Sequence, residues 1–444
     1  MAHFWAKEAP IRNPLSHSTF LMPSISNTAS GTTTGRVMRL PESDATSASA
    51  SLVPEGISAE AVSRARSTSW VGRVVVFGAT SIVLGVFWDI SWHRTIGRDT
   101  FWTPAHLAIY LGGILGGLMA AWLILGTTFR GSAAEKSAAV GLWGFRGPLG
   151  AWVCAWGALA MLTSAPFDNW WHDAYGLDVK ILSPPHTLLS LGMFAIVIGA
   201  LLLVLRDQNL ALPGAASPGR FLVLYAGGVI LAMVGVFLTE ESWPNQQRNH
   251  TFYLVSCASY PFYLAALGRA STSCWGCTIA AAIYMALNCG MMWLLPWFPG
   301  KPRLGPIYHP VEHFVPLAFP LLMVVPALGI DLLRRGIPHG RGWVRDWAFC
   351  LAAAVVFTAL FGVTQWYFSE FVIGPGGQNA FFSADRHWDY REALGSNRFR
   401  FWSETSPRWN RPATPMTFVL SAALAFVACR VGLWLGNGMA RVRR

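Results

Sequence analysis

Ten stretches of about 20 predominantly apolar residues, each long enough to cross a bilayer core, recur along this chain and constrain its fold more than any other feature. They run over 71–93, 104–126, 149–171, 185–206, 220–240, 251–268, 275–297, 313–334, 345–368 and 415–436. Backbone in hydrocarbon must satisfy its own hydrogen bonds, so only helices and closed barrels span, and runs of this length select helices. The expected architecture is all-α: a polytopic transmembrane bundle of about ten helices. Only 12% of the 444 residues are charged, roughly half the ~25% of soluble domains, which excludes a soluble enzyme.

The formal charge of +11 then reports topology and not a nucleic-acid footprint. Arg64, Arg66 and Arg73 precede the first run, and Arg130, Lys136, Arg146, Arg206, Arg220, Arg269, Arg334 and Arg335 flank alternate connections. Both termini are expected on the cytoplasmic side of a bacterial-type inner membrane, with the lipid bilayer as partner and no nucleic acid.

Residues 1–69 form a Ser/Thr/Ala-rich tract (SNTASGTTTG, SDATSASAS) that has too little apolar surface to offset its ordering entropy, and they are expected to be a disordered tail. Beyond it the pattern divides into a four-helix region at 70–206, further helices at 207–368, an extracytoplasmic loop at 369–414, and a last helix with a basic C-terminus at 415–444. The seven Cys lie in or beside apolar runs as small hydrophobes. Cys274 and Cys277 form a CxxC at a helix start, with no second pair to complete a metal site.

Histidine placement is lopsided. Setting aside His3 and His17 in the tail, His93, His106, His172, His186, His250, His309, His313 and His387 all map to the extracytoplasmic ends or loops, against His339 alone on the other side. Two of these clusters form an internal repeat, WDISWHRTIGRDTFWTPAH (88–106) and FDNWWHDAYGLDVKILSPPH (167–186). In both units Asp stands four residues before His (Asp89–His93, Asp168–His172). Gly follows four residues after it (Gly97, Gly176), and Asp two residues later (Asp99, Asp178). A Thr/Ser-Pro-x-His segment then closes each unit at His106 and His186.

The i,i+4 spacing stacks Asp and His on one helix face. Thr103 or Ser183 can cap the returning helix, Pro suits its first position, and the second His projects from its first turn. Each unit therefore reads as a helix hairpin that brings one carboxylate and two imidazoles together. A carboxylate at this depth costs about 2.5–3.5 kcal/mol even on the lenient insertion scale, and a metal cation compensates it. A His₂-carboxylate set suits copper, zinc or iron, with copper first in affinity order. Asp99 and Asp178 are candidates to orient an imidazole N–H or to add a further ligand. Ion pairing at the membrane surface is the competing account of both units. A third cluster, YHPVEHF, sets His309 and His313 at i,i+4 at a helix entrance, either as ligands or as interfacial caps.

At these residues the chain resembles the C subunit of the copper-containing membrane monooxygenases, the particulate methane and ammonia monooxygenase family. HRTIGRDTFWTPAH, with Asp89 ahead of it, resembles that subunit's first metal motif, and DNWWH with SPPH resembles the second in spacing; together they cover about 85–190. The resemblance implies Asp89, His93 and His106 as copper ligands and catalytic residues. It implies His172 and His186 as ligands of a second metal, with Asp168 standing where the family has Asn. It further implies O₂-dependent hydroxylation of a small or apolar substrate, and as partners other monooxygenase-type subunits or a cupredoxin-like periplasmic protein. Two other functions fit the residues: a non-catalytic copper or zinc carrier or metallation protein, and a haem-binding quinol oxidoreductase with paired His axial ligands.

Overall fold

The computed structural model describes residues 69–175, 183–211, 219–336, 342–392, 399–401 and 411–443. The Ser/Thr-rich tract, Gly176, Asp178 and His339 lie outside them. The helices are α1 (Ser69–Thr95), α2 (Pro104–Arg130), the short α3 (Ala133–Ala138), α4 (Leu149–Tyr175), α5 (Pro184–Leu210), α6 (Gly219–Phe237), α7 (His250–Ala270), α8 (Gly276–Leu294), α9 (Val324–Gly336), α10 (Trp343–Ile373) and α11 (Pro415–Met439). Among the described residues, eight are long and apolar enough to cross a membrane: α1, α2, α4, α5, α6, α8 with its 3₁₀ extension to Trp297, α10 and α11. The chain is an all-α bundle built for a lipid bilayer.

Helix α2 shows why. Leu107, Leu111, Ile114, Leu118, Trp122, Leu125 and Phe129 recur every three or four residues and are all exposed. An apolar stripe at helical period that faces outward needs lipid in place of water. The opposite face carries small residues, which let backbones approach where lipid offers no hydrophobic drive for association. Gly157 and Gly192 mark one close approach of α4 and α5: a Cβ on either would stand 2.7 and 2.8 Å from the other's carbonyl oxygen.

Three features depart from the expected ten spans. Helix α7 forms and packs against α11, but its polar content keeps it out of the eight. The run at 313–334 is not one helix: helix begins only at Val324, and residues 314–322 form neither helix nor strand. Pro316 and Pro320 account for this, since each removes a helix N–H and clashes with the preceding turn. Side chains of α1 take up the freed backbone groups. Ser91 Oγ donates to Val315 O (2.6 Å), Val315 N donates to Thr95 Oγ1 (2.8 Å), and Arg94 Nη1 donates to Pro316 O (3.0 Å). Irregular backbone is tolerated within a bundle only when satisfied in this way. The third departure is a small two-stranded hairpin, β1 (Val140–Leu142) with β2 (Phe145–Gly147), turned by Trp143 and Gly144 at φ 50° and 85°.

Close helix approach predicts a clear contrast. Gly157→Val should lower stability by about 1–3 kcal/mol through overpacking, read as a fall in the thermal unfolding temperature of the detergent-solubilised protein. Gly290→Ala, whose Cβ meets nothing within 4 Å, should leave it unchanged or raise it. Equal effects would refute the packing account.

Candidate metal centre

Helix α1 ends one full turn beyond Asp89, so Asp89 and His93 share a face of its last turns. The chain reverses through Ile96–Thr103, where Gly97 adopts φ 81°, a left-handed conformation open to Gly at no steric cost. Trp92 Nε1 donates to Arg98 O at 3.0 Å and pins the loop to the helix. Helix α2 then starts at Pro104 and presents His106 from its first turn. Thr103 does not cap it as expected: its hydroxyl accepts from Thr100 N (2.9 Å) and closes the loop instead. In the second unit Ser183 does cap, accepting from His186 N at 3.4 Å, because Pro184 and Pro185 leave that N–H as the first available donor.

The hairpin brings four side chains together. His106 Nε2 lies 3.1 Å from Asp89 Oδ1 and 3.3 Å from Asp99 Oδ2; His93 Nε2 lies 3.4 Å from Asp99 Oδ2 and 3.8 Å from Asp89 Oδ2. Ligand atoms around one tetrahedral ion at 2.0–2.1 Å stand about 3.3 Å apart, close to these separations. Asp89, Asp99 and His106 each bring one ligand atom within 4.8 Å of the other two, with His93 flanking them. Sequence reasoning offered Asp99 either as an orienting residue or as a further ligand, and its carboxylate faces both imidazoles directly. The repeated Asp two residues after Gly was the signal for it.

His106 Nδ1 donates to the carbonyl of Thr100 at 2.9 Å. That contact fixes the ring and leaves Nε2 toward the two carboxylates, as a histidine ligand is held by its other nitrogen. No side-chain pattern in the sequence could reveal this backbone acceptor. Asp89 Oδ1, although 3.1 Å from His106 Nε2, is buried and receives no aligned hydrogen bond. A ring nitrogen and two carboxylates converge there, and a cation or a proton has to lie between them.

The second unit repeats the arrangement more loosely. Asp168 stands 3.4 Å from His172 Nε2 through Oδ2 and 3.7 Å from His186 Nε2 through Oδ1, and Asp168 Oδ1 is again a buried oxygen with no hydrogen bond. The two units sit side by side. A Cβ on Gly113 would meet Met161 and one on Gly117 would meet Ala158, so α2 and α4 run antiparallel in a register that carries His106 to the level of Asp168. Tyr110, one turn beyond His106, lies in the field of Asp89, Asp168 and Asp99 together.

Asp99, in the loop, is held well below the usual carboxylate range, chiefly by hydrogen bonds from His106 and His93. A depressed carboxylate stays ionised at every pH above its ordinary value.

His309 and His313 do not form the expected pair at a helix entrance, because 309–313 is not helical: the chain bends at Tyr308 and His309, and no helical turn brings the two rings to one face. His309 is buried, with Nδ1 donating to Glu392 O at 2.7 Å, and His313 sits in a backbone bridge with Pro299. His250 Nδ1 meets Thr417 Oγ1 at 2.8 Å, and His387 Nδ1 donates to Ser383 O at 3.1 Å. Cys277 is buried with its thiol donating to Leu264 O. Comparison with protein-family models, curated proteins and solved structures finds no match to this chain.

Metal titration separates ligands from packing histidines. His106→Ala and Asp99→Ala should each weaken zinc or copper binding at least about tenfold, while His309→Ala should leave it unchanged. Because Asp99 stays ionised, affinity lost between about pH 8 and about pH 5.5 should come from protons returning to the imidazoles. Asp99→Asn should therefore cost more affinity at about pH 8 than at about pH 5.5, because losing its charge also weakens the protons that compete for the two imidazoles.

Proposed function

We propose that the chain is a copper-binding integral membrane protein of the membrane monooxygenase type, acting in O₂-dependent hydroxylation of a small or apolar substrate. The observation that carries this reading is the duplicated Asp-His-His hairpin, each copy with a buried carboxylate oxygen that no hydrogen bond reaches. The donor set fits copper: imidazole nitrogen with carboxylate oxygen, no thiolate and no thioether. Asp89, Asp99, His93 and His106 would hold one ion, and Asp168, His172 and His186 a second. The resemblance of the first motif to the copper monooxygenase C subunit supports the choice of metal. By the distribution of basic residues, both sites would face the extracytoplasmic side.

Bound copper supplies one-electron and dioxygen chemistry that no side chain here can perform. The chain's own residues bind, orient and shield. Asp89 and Asp99 supply negative charge and, with His106, a nearly closed set of donors. Thr100 O holds the His106 ring with Nε2 inward. His106 is 20% exposed and Asp89 24%, whereas His93 is 44% exposed, so access is from the side of His93. Phe101, 4.9 Å from Tyr110 and 5.0 Å from Trp102 between ring centroids, walls the first unit, and the Phe167–Trp170–Trp171–Tyr175 group stands beside the second. An apolar substrate dissolved in lipid would approach along such a wall.

The half-exposed His93 also keeps alive a copper or zinc carrier without turnover, since an exchangeable ion needs an open side. A haem fits the first unit poorly, because His106 meets Asp89 and Asp99 at 3.1 and 3.3 Å with no space for a macrocycle.

Metal analysis of protein purified from copper-replete cells tests the reading. We expect about two copper ions per chain; Asp89→Ala and Asp168→Ala should each remove one, and the EPR spectrum should show imidazole nitrogen coupling. Copper content indifferent to both substitutions would overturn it, and a Soret band would favour haem. Copper-dependent O₂ uptake then separates enzyme from carrier.

A further inference from the structure

A second site lies on the opposite side of α1 from the carboxylates. Phe87 and Asp89 are two residues apart on one helix and so point to opposing faces. Phe87 lines an open-sided cleft of about 50 Å³ bounded by α6, α7, α8 and the irregular segment around Phe319. Among the residues that line it none is charged. Phe87, Trp243, Phe319 and the rings of Tyr260 and Tyr284 make its walls aromatic.

Thr239 and Asn288 are bonded to helix carbonyls, and three hydroxyls remain to be accounted for. Tyr260 is fully buried and its hydroxyl makes no hydrogen bond. The Tyr284 hydroxyl accepts from Leu321 N at 3.3 Å, which leaves its own proton to donate. Ser242 Oγ, also buried, has no partner. Gly235 supplies the gap: a Cβ there would stand 3.9 Å from both tyrosine hydroxyls and 3.2 Å from the Tyr284 ring. Aromatic walls with a few converging, unsatisfied donors are the usual make-up of a small-molecule site, and buried polar atoms left without partners call for an occupant that supplies them. Pro316 and Pro320 keep the covering segment from closing the space as a helix.

We propose that this cleft binds the oxygen-bearing end of a neutral, lipid-soluble ring compound, with the Tyr260 and Tyr284 hydroxyls donating to its carbonyl or hydroxyl oxygen and the aromatic walls flanking the ring where the cleft opens. Binding there is independent of the metal reading, since no residue of the cleft belongs to the Asp-His-His units.

The test uses the full chain in lipid nanodiscs and two probes of nearly the same shape, 2-acetylnaphthalene and 2-isopropenylnaphthalene, which differ in having an oxygen or a methylene at one position. Saturable binding above the uptake of empty nanodiscs is measured for each. The ketone should bind about tenfold more tightly than the hydrocarbon, as one to two buried hydrogen bonds require. Tyr260→Phe should remove most of that preference without changing the fold. Gly235→Leu should abolish binding of both probes, with helix content and unfolding temperature checked alongside. Asp89→Ala should leave both affinities unchanged. Absence of saturable ketone binding, equal binding of the two probes, or a preference that survives Tyr260→Phe would each overturn the proposal. The last two would show a greasy or water-filled gap with no recognition of oxygen.

Discussion

The structure around the Asp-His-His units turns on one electrostatic conflict: the Asp89 carboxylate, carried on an apolar helix, presents a buried oxygen 3.1 Å from the ring nitrogen of His106. A lone carboxylate at the edge of hydrocarbon is costly, and a proton on the facing imidazole or a bound cation has to offset it. Everything nearby narrows the ways out. Thr100 O occupies the other nitrogen of His106, Asp99 adds a second negative charge from the loop, and Gly97 allows the tight reversal that brings both there. A bound cation relieves all of these at once, and a metal does so with the separations observed. That the same orphaned oxygen recurs at Asp168 makes an accident of one loop a poor explanation.

Helix α1 serves two structures. One face carries Asp89 and His93 to the Asp-His-His hairpin, while Ser91, Arg94 and Thr95 on the other hold the irregular segment at 314–322. Arg94 is buried, donates also to His387 O, and lies over the Trp243 ring. Burial pulls against its charge, and the carbonyls and the indole face compensate. The helix is thereby fixed in rotation about its axis, which fixes where Asp89 points. Positioning of the candidate ligands thus depends on residues more than 200 positions away in sequence.

Much of this was legible in the chain. Apolar runs marked the spans, and the repeat at 88–106 and 167–186 marked two hairpins whose carboxylates and imidazoles do meet. What escaped has physical reasons. Pro316 and Pro320 sit in a run hydrophobic enough to read as a helix, and hydropathy is blind to backbone donors. His309 and His313 have ligand-like spacing only if the chain is helical there. Asp99 reads as an orienting residue or a further ligand from its place in the loop, and only the fold brings it to both imidazoles. The acceptor on Thr100 is main chain, and the adjacency of the two units follows from the glycine contacts between α2 and α4, a tertiary fact.

The account's central claim is that the two hairpins bind two cations side by side at one end of the bundle. Anomalous diffraction at the copper edge from crystals of the copper-loaded protein tests it most directly. The account predicts two peaks, one among Asp89, Asp99, His93 and His106 and the other among Asp168, His172 and His186. No peak in either hairpin, or copper only at a histidine outside them such as His309, would contradict it.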